Sequence, residues 1–140
     1  MVKIPITVEA LVSAPLETVW ECWVAPEHVM QWNNASDDWH TPQATNDLRV
    51  GGKFVFRMEA KDKTVGFDFG GTYTNVLDRK QIDYVMDDGR NVSITFEEQA
   101  GHTHVTETFD AESVNSPEMQ RQGWQAILDN FKSYVESFTG

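Results

Sequence analysis

The stretch RQGWQAILDNFKSYVESF, residues 121 to 138, constrains the fold more than any other part of the chain. Trp124, Ile127, Leu128, Phe131, Tyr134, Val135 and Phe138 recur at i, i+3, i+4 and i+7, the stripe of one helical face. A helix with so many rings on one side must be covered by something.

The upstream chain supplies the cover in short strands. KIPITVEALV alternates: Ile4, Ile6, Val8, Ala10 and Val12 share one face, and Lys3, Thr7 and Glu9 the other. Pro5 lacks a ladder N–H, which suits an edge strand or an unpaired start. SAPLETVWECW then changes period, with Leu16, Val19, Trp20 and Trp23 at helical spacing and Pro15 and Glu17 suited to a first turn. A second short helix starts at Pro26, with Val29, Met30 and Trp32 inward. NNASDDWHTPQATNDLRVGG lacks a strong period and reads as a long loop, with a short strand near residues 43 to 49.

From Lys53 the strands come quickly. Phe54, Phe56 and Met58 share a face; Phe67 and Phe69 follow; then Gly70-Gly71 reads as a bulge or sharp bend, leaving the facing of Tyr73 open. Ile82, Tyr84 and Met86 precede Asp88-Gly89, a hairpin signal. About Gly101, Val92, Ile94 and Phe96 share one face, as do Val105, Glu107 and Phe109 in the next strand. Pro117 opens the last helix. Hairpin-spaced strands imply an antiparallel sheet, and helices segregated at the start and end imply the α+β class. The expected cover of the terminal stripe is that sheet, curved round it. The length of 140 residues suits one domain, 1–140.

Composition narrows the partners. With 22 acidic against 11 basic residues the formal charge is −11, a field that repels nucleic acid and anionic lipid. No stretch approaches the ~20 apolar residues of a membrane span, so membrane insertion is not expected. The first residues begin directly with strand pattern and carry no signal-peptide apolar region, so the expected location is cytoplasmic. A single cysteine excludes an internal disulfide, and Cys22, between two tryptophans, reads as a core residue.

The residues able to carry chemistry are few. The aromatic set admits two readings, a solid core or a cavity between stiff rings. Glu107 is the most informative polar residue: if its face is concave, a carboxylate enters apolar space and becomes a ligand anchor or a general acid/base. Arg57 and Asp68 read as a cross-strand surface pair, and Tyr73 and Tyr84 as hydroxyls available to a ligand or packed at the rim. His102 and His104 share a face with Thr106 and Thr108 that should meet water, and no third ligand makes a metal site with them. His40, beside Asp37, Asp38 and Trp39, falls in the long loop, where the cluster lines a cavity entrance or is simply solvated. VGGK and FGGT are weak as phosphate loops, since neither opens a helix, and GxSxG, CxxC and HExxH are missing. No metal and no cofactor is expected.

The segments APLETVWECWVAPEHVMQW, VGGKFVFRM, GGTYTNV, HVTETFDAE and QGWQAILDNFKSYVE, in that order, resemble the START/Bet v-like (SRPBCC) superfamily. Within it they look like the branch named for the activator of heat-shock-protein-90 ATPase homologue. The resemblance covers nearly the whole chain. It implies the helix-grip fold: a bent antiparallel sheet of six to seven strands wrapped round a long C-terminal helix, two short helices after the first strand, and a hydrophobic cavity between sheet and helix. The superfamily includes lipid and polyketide binders, cyclases or dehydratases, and a co-chaperone domain. In the co-chaperone a second domain precedes this one; this chain has no room for it, which argues against a chaperone partner.

The expected function is binding of a small hydrophobic ligand in that cavity. Its expected wall is Trp20, Trp32, Phe54, Phe56, Met58, Phe67 and Phe69, continued by Tyr73, Tyr84, Phe96, Glu107, Phe109, Trp124 and Phe131, with Trp39 and His40 at the entrance. Gly123 is expected to let the last helix approach its neighbours or clear a ring. A cyclase- or dehydratase-like enzyme using Glu107 is the alternative, and a chaperone-associated interaction domain the second. The sequence leaves a homodimer open.

Overall fold

The computed structural model describes residues 4–138. Strand β1 (Pro5–Val12) leads into helices α1 (Leu16–Val24) and α2 (Pro26–Trp32). Strands β2 (Trp39–Asn46), β3 (Lys53–Ala60), β4 (Gly66–Leu77), β5 (Gln81–Met86), β6 (Asn91–Gln99) and β7 (His102–Asp110) follow, and helix α3 (Pro117–Glu136) ends the fold. The strands form one antiparallel sheet in the order β1-β7-β6-β5-β4-β3-β2. β1 stands at one edge, where Pro5 opposite Asp110 removes no interior ladder bond. Its alternation holds, with Ile6, Val8, Ala10 and Val12 buried, whereas Ile4 before them is half exposed and Lys3 lies outside the described residues.

α3 starts where its sequence says. Ser116 accepts from the Met119 N–H at 3.1 Å, and Pro117 takes the first turn. Gln120 is buried and ties that end down: its Oε1 accepts from Glu112 N–H at 2.8 Å, and its Nε2 donates to the Asn115 carbonyl at 2.8 Å. Leu128, Phe131 and Val135 are sealed within the core, with Trp124, Ile127 and Tyr134 packed against it. Phe138, past the helix end, is exposed, and its ring meets those of His28 and Tyr134 edge-on.

Three expectations change. The long loop is shorter than its composition suggests, because residues 39–46 form β2. This is an edge strand with one wetted face, so it lacks apolar alternation and is held by its pairing with β3. Met30, expected inward, is exposed. The bulge falls at Thr74, between the pairs Tyr73–Tyr84 and Asn75–Asp83, while Gly70 and Gly71 pair in unbroken register with Val55 and Phe54. The reason for Gly71 is space. A Cβ there would lie 2.6 Å from the Val85 carbonyl oxygen and 3.1 Å from the Phe54 ring. Since the bulge comes after Tyr73, that residue keeps the inward facing of Phe69 and is buried. The Asp88-Gly89 turn is present, with Gly89 at φ +94°.

Candidate functional site

The concave side of the sheet and the inner face of α3 do not close on each other completely. They leave a hollow of about 240 Å³. Strand β3 gives it Phe54, Phe56 and Met58; β4 gives Phe67, Phe69 and Tyr73; β5 gives Tyr84, flanked by Ile82 and Met86. Glu107 enters from β7, and Trp124, Ile127 and Leu128 face the sheet from α3. Trp23, Trp32 and Asn33 close the end under the two short helices, and Arg90 borders it just past the β5–β6 turn.

Phe54 is the hub of the wall. Its ring stands 4.7 Å from Tyr84, 4.9 Å from Phe56, 5.4 Å from Tyr73 and 5.6 Å from Phe69, centre to centre. These tilted and edge-on pairs are the favoured aromatic geometries, and stiff rings so fixed cannot fold over to fill the gap. Phe67, half exposed, marks the rim, and the Trp39 ring lies 6.0 Å from it. His40 does not border the hollow; its Nε2 stands 3.9 Å from Glu59 Oε1.

Four residues expected in the wall lie elsewhere, three because the α1–α2 arm fills its end of the interior and one because α3 covers it. Phe131 is fully buried between Trp23 and Trp32, at 4.9 and 4.8 Å. Trp20 and Phe96 pair edge-on at 5.2 Å, and Trp20 borders a separate outer cleft instead. Phe109 is covered by Trp124, stacked on it at 3.8 Å. Of the residues not expected there, Ile82 and Met86 share the face of Tyr84 and were within reach of alternation. Asn33 and Arg90 sit in connections and carry no periodic signal.

The polar groups divide into tethered and free. The Tyr73 hydroxyl donates to Asn46 Oδ1 at 2.5 Å, and Asn46 Nδ2 donates to the Val24 carbonyl at 2.7 Å, so that tyrosine is part of the frame. Burial raises its pKa. Asn33 is bound to Thr41, whose hydroxyl donates to the Asn33 carbonyl at 2.6 Å. Arg90 is held by Asp88, Nε to Oδ2 at 2.8 Å, and by the Asp110 carbonyl at 3.4 Å.

Glu107 and Tyr84 are different. Each is more than nine-tenths buried, at 7% and 6% exposure. Their side-chain oxygens have no hydrogen-bond partner among the described residues, yet no side-chain polar atom there is sealed away unsatisfied. Both groups therefore look into the hollow. Burial pushes the Glu107 carboxyl up to about 8. Burial also raises the Tyr84 hydroxyl well above its ordinary value; nearby Glu107 and Tyr73 push the same way and Arg90 opposes them.

The other candidates are framework. Arg57 reaches Asp68 at 3.4 Å, as its cross-strand position predicts, but Glu59 is nearer at 2.9 Å. His104 meets Glu9 at 3.3 Å on the outer face. Among the described residues no cluster of three His, Cys, Asp or Glu side chains is placed to hold a metal. Cys22 is buried, and burial, helped by Glu21, pushes its thiol up to about 11. No helix among the described residues is long and apolar enough to cross a membrane.

A seven-stranded antiparallel sheet bent over a C-terminal helix, with two short helices after the first strand, is the helix-grip architecture of the START/Bet v-like (SRPBCC) superfamily, a ligand-binding fold. Within it, residues 13–136 match the family described as Activator of Hsp90 ATPase homolog 1-like protein, and the chain belongs to that family. It is similar to the AHSA1-like protein of Aeromonas hydrophila, known from a solution NMR structure. The two are 48% identical, with a TM-score of 0.91, covering 97% of this chain and 94% of that one. A protein from Cytophaga hutchinsonii is also 48% identical, with a TM-score of 0.82 over 96% of this chain and 93% of its own. One from Nitrosomonas europaea shares the fold at 18% identity and a TM-score of 0.81, covering 96% and 95% of the two chains. No curated protein matches this chain.

Proposed function

We propose that this protein binds a small lipophilic molecule in the hollow between its sheet and α3. The observation that carries the reading is the unfilled space of about 240 Å³ behind a rim at Phe67. An apolar cavity of about 150 Å³ suffices for benzene. This one has room for a ring with a short substituent. Rings supply affinity, and two free polar groups supply orientation. The reading treats residues 1–140 as one domain acting in the cytoplasm, with a small molecule rather than nucleic acid or a chaperone as partner.

A second reading, acid/base catalysis of cyclase or dehydratase type, draws on the inward carboxyl of Glu107. It needs a second proton-transfer group across the substrate. Tyr84 stands on the same wall as Glu107, and Trp124, Ile127 and Leu128 opposite carry no transferable proton. His40 is away from the space, paired with Glu59. Binding is therefore the better reading. An interaction domain would work through an exposed patch and has no use for the internal space.

The test is native mass spectrometry of gently purified protein, followed by titration with 2-naphthol. A co-purifying small molecule, or saturable naphthol binding at one site, is the expected result. Neither an adduct nor saturation would end the proposal.

A further inference from the structure

The ring-lined wall could serve many lipophiles, but its two free polar groups narrow the choice. We infer that the hollow selects a small lipophilic amine, its ammonium held between Glu107 and Tyr84. This deepens the binding reading and rests on it.

The sheet register places the pair. Glu107 on β7 lies opposite Ile94 of β6, and Tyr84 on β5 lies opposite Val92 of the same strand. Ile94 and Val92 share a face, so Glu107 and Tyr84 stand on the same concave face on either side of β6, offset by two residues along it; both line the hollow. A carboxyl in apolar surroundings is costly unless something donates to it. In the empty protein nothing among the described residues does. A molecule that enters with a donor supplies what the protein lacks. An ammonium brings three donors and a charge. One donor goes to the Glu107 carboxylate and one to the Tyr84 oxygen, and the remaining charge faces aromatic rings, whose π faces attract cations. An alcohol brings one donor and no charge.

The alternative charge is disfavoured. A carboxylate ligand would sit beside Glu107, in a protein of formal charge −11. Arg90, the cation at the border among the described residues, is already engaged by Asp88 and the Asp110 carbonyl. The groups that face Glu107 from other elements are otherwise neutral. β1 places Val8 opposite it and β6 places Ile94. Tyr84 and the tethered Tyr73 come from β5 and β4; α3 offers Trp124, Ile127 and Leu128, and the end of α2 offers Asn33.

Binding is then linked to one proton. The amine arrives as its ammonium, and Glu107 releases its own proton to solvent as the ion pair forms. Affinity rises with pH up to the titration of Glu107, near 8 in the empty protein. It falls again once the amine itself discharges, near the ~10.4 of an ordinary alkylammonium.

The test uses three near-isosteric probes: 2-phenylethylamine, 2-phenylethanol and phenylacetate. Each is titrated into the whole protein by calorimetry at pH 6 and pH 8. The expected result is amine binding at least tenfold tighter than alcohol at pH 8, a preference that shrinks severalfold at pH 6, and phenylacetate weakest. In Glu107→Gln the amine-to-alcohol ratio should fall to within about threefold at both pH values, and Tyr84→Phe should lower it partway. Circular dichroism checks that both variants fold; should Glu107→Gln not fold, the pH dependence of the wild-type ratio decides. Alcohol binding equal to amine at pH 8, phenylacetate binding tightest, or an amine preference that survives Glu107→Gln overturns this inference and leaves lipophile binding standing. No binding by any of the three overturns this inference, and the naphthol titration then decides the binding reading by itself.

Discussion

Replacing Glu107 by Gln should change the pH dependence of stability, and the size of the change follows from the fold. In the folded protein Glu107 is 7% exposed, and burial lifts its carboxyl from 4.5 to about 8. Below about pH 4.5 both folded and unfolded chains hold the proton, and Glu107 contributes no pH dependence. Between 4.5 and 8 the unfolded chain has released it and the folded chain has not, so stability falls as pH rises. At about 1.36 kcal/mol per pH unit the full loss is roughly 4–5 kcal/mol, an upper figure because a wet cavity relaxes the penalty. Above 8 the cost stays constant. That is a large fraction of the ~5–15 kcal/mol that holds a domain together. It corresponds to a fall in Tm on the order of 10 °C for a chain of this size. A glutamine side chain in its place would fill the same space and cannot ionise. Urea unfolding of wild type and Glu107→Gln should be run at half-unit steps from pH 5 to 9, and the difference taken at each step so that groups common to both cancel. The variant should be nearly level with wild type at pH 5 and more stable by several kcal/mol at pH 9. Parallel curves across that range would refute the reasoning, and a wild type that gained on the variant with rising pH would mean that Glu107 is paired with a cation.

Other outcomes follow from the same structure. Phe56→Ala should weaken 2-naphthol binding at least tenfold, about 1.4 kcal/mol, whereas Lys63→Ala, at an exposed turn between β3 and β4, should leave it unchanged; equal effects would remove Phe56 from the wall. Two glycines should respond oppositely to alanine, read by urea unfolding at one pH. Gly71→Ala drives a Cβ to 2.6 Å from a backbone oxygen and should cost more than about 2 kcal/mol. Gly123→Ala, where nothing lies within 4 Å of the new atom, should gain about 0.5–1 kcal/mol from helix propensity alone. A destabilised Gly123→Ala would show that the glycine has a packing role after all.

The open space around Gly123 also marks where local reading stops. The sequence suggested that this glycine lets α3 approach its neighbours or clears a ring, and nothing lies within 4 Å of where its Cβ would stand. Gly70 and Gly71 suggested a bulge, and the bulge sits three residues past Gly71, at Thr74, where no residue type announces it. By contrast alternation put Phe54, Phe56 and Met58 on one face and Tyr84 with Ile82 and Met86 on another, and those are the faces that border the hollow. The ring of Phe131 obeyed its helical stripe equally well and still does not reach the hollow, since Trp23 and Trp32 close round it.

The sequence by itself determined the order of the elements and, for most of them, which residues share a face, because those depend on period: two residues along a strand, 3.6 along a helix. It also singled out Glu107, a carboxylate that by alternation shares a strand face with Val105 and Phe109. Only the tertiary structure decided where the interior is left empty. A void is the difference between the curvature of seven paired strands and the volume of the side chains beneath them, and that difference depends on strand offsets, on the bulge at Thr74 and on which rings the α1–α2 arm captures. None of these is a property of any one segment, so Phe109 under Trp124 became filling while Phe69, two strand positions from Gly71, became wall.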